Sequence, residues 1–297
     1  MIIPKKLRIG DKIGIISTAR KITLEELSPA IKMLESWGLK VVLGANLFSE
    51  DNQFSGTIQQ RSADLQSMID DRSIKAILCA RGGYGTVQII DKVDFSHLIK
   101  NPKWIIGYSD VTVLHSHLHQ LGITSLHATM PINFEKNTPK ALESLKSALF
   151  GLGDLTEINH HHFNRFGKVE GEIVGGNLSI LYSLLGSDSD INTEGKILFI
   201  EDLDEYLYHV DRIMMNLKRN GKLKNLKALI IGGMSDMNDN TIPFGKTAEE
   251  IILEYIKEFD FPVCFNFPAG HLDDNRCIRL GGKSVLEVNK NGVSLSQ

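Results

Sequence analysis

Cysteine is scarce in this 297-residue chain, with only Cys79, Cys264 and Cys277 present. Three is an odd number and the positions are far apart, so neither a disulfide framework nor a zinc knuckle is expected, and a reducing compartment follows. No uninterrupted apolar run approaches the roughly 18 residues of a membrane span. The opening MIIPKKLRIGDKIGIIS is too short in its apolar part, and too charged, for a signal-peptide core. A one-sided charge is missing as well: 33 Lys and Arg stand against 36 Asp and Glu, a formal net charge of −3. Nucleic-acid binders carry a basic excess and clustered Lys/Arg, so that class is set aside. Internal repeats and low-complexity tracts are absent too. The expectation is a soluble, cytoplasmic protein that binds neither membrane nor nucleic acid.

What is present is 42% hydrophobic content, enough for two domains with their own cores. The first half alternates short β-branched runs with amphipathic segments. Strands are expected at residues 12–17 (KIGIIS), 40–43, 76–80 (AILCA) and 104–107 (WIIG), and helices at 24–37, 58–69 and 111–121. Strands alternating with helices imply a parallel sheet covered on both faces, with sites beyond the carboxyl ends of the strands. Residues 135–153 read as a helix closing this first domain, and 154–167, with its HHH run, as an irregular linker. Strands return from residue 169, notably at 196–200, 227–231 and 262–266, separated by helical patterns at 204–219 and 247–259. The chain is expected to end in a hairpin, 277–280 against 284–288, turning on Gly281, Gly282 and Lys283. The fold class is thus α/β: a Rossmann-like parallel-sheet domain over 1–152, a linker over 153–168, and a smaller α/β domain over 169–297.

Several residues stand where chemistry is plausible. In Gly107-Tyr108-Ser109-Asp110 a buried strand runs into a serine and a helix starts at once. That strand–turn–helix form lifts a nucleophile above the sheet, although the G-x-S-x-G form is absent. The helix N-terminus offers backbone N–H groups to a developing oxyanion. Taken alone, the tetrapeptide reads first as a helix cap, as Ser and Asp very often are. The loop Arg81-Gly82-Gly83-Tyr84-Gly85 follows another buried strand, and its glycines let backbone approach a ligand or form an anion nest. It has neither the Walker spacing nor G-x-G-x-x-G. Glu201 ends the apolar run KILFI, and His271 lies in a Pro-Ala-Gly-His loop. His115, His117 and His119 tempt a metal reading, but the position after His115 holds Ser116 rather than the glutamate of H-E-x-x-H. No metal and no cofactor are expected.

Taken together, these segments resemble the LD-carboxypeptidase family of serine peptidases, which includes the microcin-resistance peptidases. The likeness runs through GIIS near the start, CARGGYG at 79–85, IGYSD at 106–110, GGNLS at 175–179, FIED at 199–202 and PAGH at 268–271. The resemblance implies a triad of Ser109 as nucleophile, His271 as general base and Glu201 orienting it. It implies oxyanion donors in the backbone N–H groups of Gly83 and Asp110. The serine would come from the N-terminal domain and the other two from the C-terminal one, with the site in the cleft between them. It further implies a homodimer that needs no metal. Chain length and the EDLDEYLYHVDR segment fit the murein-recycling branch, so the expected substrate is a muropeptide losing a terminal D-alanine. Arg81 and Arg212 are the candidates for holding the substrate's carboxylate. The alternatives are hydrolysis of a peptide–nucleotide antibiotic and a non-catalytic anion- or peptide-binding protein.

Overall fold

The computed structural model describes residues 1–153 and 155–297. The first half holds β1 (Lys12–Ile16), α1 (Leu24–Ser36), β2 (Lys40–Leu43), α2 (Ile58–Asp70), β3 (Ile74–Cys79), α3 (Ser96–Lys100), β4 (Trp104–Gly107), α4 (Thr112–Gln120), β5 (Ser125–His127) and α5 (Pro139–Phe150). Local chemistry explains the helix starts. Thr23 with Glu26 and Thr57 with Gln60 form reciprocal capping boxes at α1 and α2, each satisfying two backbone donors that the helix leaves open. The helix expected over 135–153 is shorter, because Thr138 caps it, Pro139 can occupy only its first turn, and Gly151 ends it in the left-handed conformation.

The second half holds β6 (Leu155–Ile158), β7 (Gly167–Asn177), α6 (Leu178–Ser183), β8 (Ile197–Leu203), α7 (Leu207–Arg219), β9 (Ala228–Ser235), α8 (Ala248–Ile256), β10 (Val263–Cys264), β11 (Ile278–Leu280), β12 (Lys283–Asn289) and β13 (Gly292–Ser296). Two sheets result. In the first the order is β11-β5-β4-β3-β1-β2, and in the second β10-β9-β8-β7-β12-β13-β6. Neighbours from β2 to β5 run parallel, as do β7 to β10. The fold is α/β in both halves, and four clusters of Leu, Ile, Val and Phe fill the space between sheets and helices.

Two expectations are corrected. Residues 278–280 and 284–288 do not form a hairpin: β11 pairs antiparallel with β5 in the first sheet, whereas β12 pairs with β7 and β13 in the second. Gly281 and Gly282 carry the chain from one sheet to the other, and the real hairpin is β12–β13. The stretch read as irregular linker contains β6, which pairs with β13. Its pattern alternates exposed Leu155 and Glu157 with half-buried Thr156 and Ile158, the signature of an edge strand rather than a core one. Asp154, also assigned to that linker, lies outside the described residues.

Candidate active site

The site is built on the carboxyl ends of both sets of parallel strands. β4 is buried throughout, and the chain leaves it through Tyr108 into Ser109, whose φ is +61°. A non-glycine residue in that region is strained, and such strain persists where the surroundings hold a side chain in a working position. A short 3₁₀ turn from Ser109 to Val111 then leads into α4, so the serine stands at a sharp strand-to-helix turn. Gly82, in the loop after β3, presses against it: a Cβ on Gly82 would lie 3.1 Å from Ser109 Oγ.

Glu201 comes from β8, where the ladder to β9 slips between Ile200 and Asp202. Such irregularities re-aim side chains near active sites. Glu201 is wholly buried. Its Oε2 lies 2.7 Å from His271 Nδ1 and also accepts from the His271 backbone N–H at 3.2 Å. With Nδ1 turned to the carboxylate, Nε2 is the nitrogen left to handle a proton. Burial alone would raise the Glu201 carboxyl, but His271 and His127 outweigh it and hold it down at about 2. Burial opposes the His271 imidazolium, yet Glu201 and then Asp202 raise its pKa above the ordinary value. The pair therefore consists of a fixed anion and a histidine of enhanced basicity.

Ser109 Oγ makes no hydrogen bond to the His271 ring among the described residues. The two are joined through Tyr108, whose ring packs edge-on to His271 with centroids 4.8 Å apart. Hydrogen bonds of this kind often lengthen when no ligand is present. Asp110 is buried, and its carboxylate accepts from the Thr86 N–H at 2.8 Å, which clamps the end of the glycine loop onto the serine turn. Gly83 sits at φ +112°, and no group among the described residues accepts from its N–H. Arg81 donates to the Lys21 carbonyl and faces Glu26 at 3.6 Å, while Arg212 lies over the Tyr208 ring on the exposed side of α7.

Three participants escaped the sequence reading. His127, at the end of β5, is fully buried with its Nε2 3.8 Å from Glu201 Oε1, so the carboxylate is flanked by a histidine on each oxygen. β5 is only three residues long, too short for any periodicity to flag it. Arg61 is buried in α2 and donates to the carbonyls of Thr18 and Gly85 and to Gln88 Oε1, fixing the glycine loop from behind. Asn177, in the GGNLS segment, binds Asp202 through its side chain and Thr112 Oγ1 through its backbone N–H. That last bond ties the start of α4 to the second sheet. The three histidines of α4 diverge: His115 bonds Ser125 and the Gly107 carbonyl, His117 bonds Ser189, and His119 faces Glu172.

Residues 13–128 match the LD-carboxypeptidase N-terminal domain and residues 170–286 the LD-carboxypeptidase C-terminal domain. The chain is 36% identical to the probable murein peptide carboxypeptidase of Bacillus subtilis, over 96% of this chain and 91% of that protein. It is 29% identical to the murein tetrapeptide carboxypeptidase of Pseudomonas aeruginosa, over 95% of each. Among solved structures, the muramoyltetrapeptide carboxypeptidase from Oxalobacter formigenes superposes with a TM-score of 0.87 at 25% identity, covering 96% of this chain and 98% of that one. Both domains in their order and the relatives along nearly the whole length agree, and the chain belongs to the LD-carboxypeptidase family of peptidases.

Proposed function

We propose that this chain is a serine-type LD-carboxypeptidase that releases the terminal D-alanine from murein tetrapeptide through an acyl-enzyme on Ser109. The observation that carries the reading is the Glu201–His271 pair, 2.7 Å apart with its carboxylate fully buried, together with a serine held at φ +61° on a strand-to-helix turn. An unassisted hydroxyl is a poor nucleophile at neutral pH and needs a base within reach. His271 Nε2 takes the Ser109 proton as Oγ attacks the scissile carbonyl. Glu201 stabilises the imidazolium that forms without itself taking the proton. The oxyanion is received by the Gly83 and Asp110 N–H groups. Nε2–H then protonates the departing amine of D-alanine, the C–N bond breaks, and a water repeats the sequence on the ester to free the tripeptide. Relatives named for murein peptides favour this substrate over a peptide–nucleotide antibiotic. The three cysteines are buried, which suits a reducing cytoplasm, where imported muropeptides would be trimmed. The family resemblance carries the further expectation of a homodimer.

A fluorophosphonate probe tests the nucleophile. Labelling should map to Ser109, vanish in Ser109→Ala and weaken in His271→Ala. Labelling of a different serine, or none, would remove the serine mechanism and favour a binding protein.

A further inference from the structure

We propose that Arg20 is the cation that receives the substrate's terminal carboxylate. The inference rests on the peptidase reading above, in which the residue leaving Ser109 carries a free carboxylate. Only the nitrogen and Cα of that residue separate its carboxylate carbon from the scissile carbonyl, so the receiving cation must lie within one residue's length of the nucleophile. Parallel strand order β2-β1-β3-β4-β5 puts the topological switch point between β1 and β3, and ligands in such sheets bind in the crevice beyond that point. The loop after β1 brings Arg20 there and the loop after β3 brings Gly82 and Gly83. Gly82 faces Ser109. A Cβ on Gly83 would lie 2.6 Å from Arg20 Cδ and 2.8 Å from its Nε. Since consecutive Cα atoms are about 3.8 Å apart, the serine hydroxyl and the Arg20 side chain lie against neighbouring glycines of one loop.

The main chain of Arg20 is anchored, its carbonyl accepting from Ser17 Oγ at 2.6 Å and its N–H reaching the Gly82 carbonyl at 3.4 Å. Its side chain is exposed, and the guanidinium has no hydrogen bond or ion pair among the described residues. Nearby cations are otherwise engaged. Arg81 is turned to Lys21 and Glu26, Lys21 is paired with Glu50, and Arg61 is buried and saturated by carbonyls. A guanidinium presents two parallel N–H groups to a carboxylate, a geometry lysine cannot reproduce.

The test compares two murein tetrapeptides, one ending in the free acid of D-alanine and the other in its amide, on the purified full chain. The unmodified protein should prefer the acid. Arg20→Met keeps an apolar stem over Gly83 but removes the charge. It should lose about 10- to 100-fold in kcat/KM on the acid, mostly through KM, and little on the amide, so that the preference collapses. Arg20→Lys should fall between. An unchanged acid-over-amide ratio in Arg20→Met, an equal loss on both peptides, or transfer of the effect to Arg81→Met would each overturn the assignment while leaving the peptidase reading intact. Failure of the unmodified protein to cleave the acid tetrapeptide would instead overturn that reading, and this one with it.

Discussion

Glu201 keeps its charge in a place that water does not reach, and the two histidines on its oxygens are what make that possible. A lone buried carboxylate would take up a proton. Here His271 and His127 reverse that tendency, and in return the carboxylate raises His271. The consequence for activity has a definite sign. A general base works only when unprotonated, so kcat/KM should rise with pH through an apparent pKa above the roughly 6.5 of free imidazole. Glu201→Gln removes the larger of the two influences that oppose burial and leaves only Asp202 against it, which lowers the His271 pKa. The acid limb should then move to lower pH while the plateau falls by about 10⁴-fold, as expected when a triad carboxylate is replaced by its amide. A pH–rate profile of both proteins checks this. An acid limb that stays put in the variant would mean that Glu201 does not govern His271.

Loops carry the rest of the site, and they are held by elements remote in sequence. α2 supplies Arg61 to the carbonyls of Thr18 and Gly85, Asp110 grips the Thr86 N–H, and Thr112 at the head of α4 accepts from Asn177 of the second sheet. The glycine loop therefore has little freedom to retreat from the serine. Gly82 lies outside the left-handed region, so its backbone accepts alanine without strain, yet the added methyl would sit 3.0 Å from Ser109 Cβ and 3.1 Å from Oγ. We expect Gly82→Ala to fold with a Tm near that of the parent and to lose around a hundredfold in kcat, the cost of displacing a reacting atom by about 1 Å. Full turnover in this variant would show that the loop is not tight against the nucleophile during reaction. Elements with their own local pattern were legible in the sequence: the apolar spacing of α1, the buried runs of β1, β3 and β4, and the turn at Ser109. Elements whose existence depends on a distant partner were not. β5 has three residues, β6 is an exposed edge, and nothing local announces that β11 leaves its neighbour β12 for the other sheet.

At the scale of the whole chain, β11 is the strand that makes the two halves one structure. It comes from the far end of the sequence, pairs with β5 of the first sheet, and follows directly on the loop that holds His271. His127, at the end of β5, pairs with Ile278 of β11 and stands beside Glu201 of β8. Ser109 and the glycine loop thus follow strands of one sheet, and Glu201 belongs to a strand of the other. The sequence reading named Ser109, Glu201 and His271 through the family resemblance carried by the short segments that hold them. It could not name Arg20 or His127, whose meaning depends on what the fold lays beside them. The most direct measurement is the release of D-alanine from murein tetrapeptide by the purified chain, followed by mass spectrometry of the peptide, for the parent protein, Ser109→Ala, His271→Ala and the double variant. We expect conversion to the tripeptide by the parent, a loss of about 10⁴- to 10⁶-fold in each single variant, and a double variant scarcely worse than either. An intact tetrapeptide with the parent protein, or tripeptide formed by Ser109→Ala at the parent's rate, would contradict it.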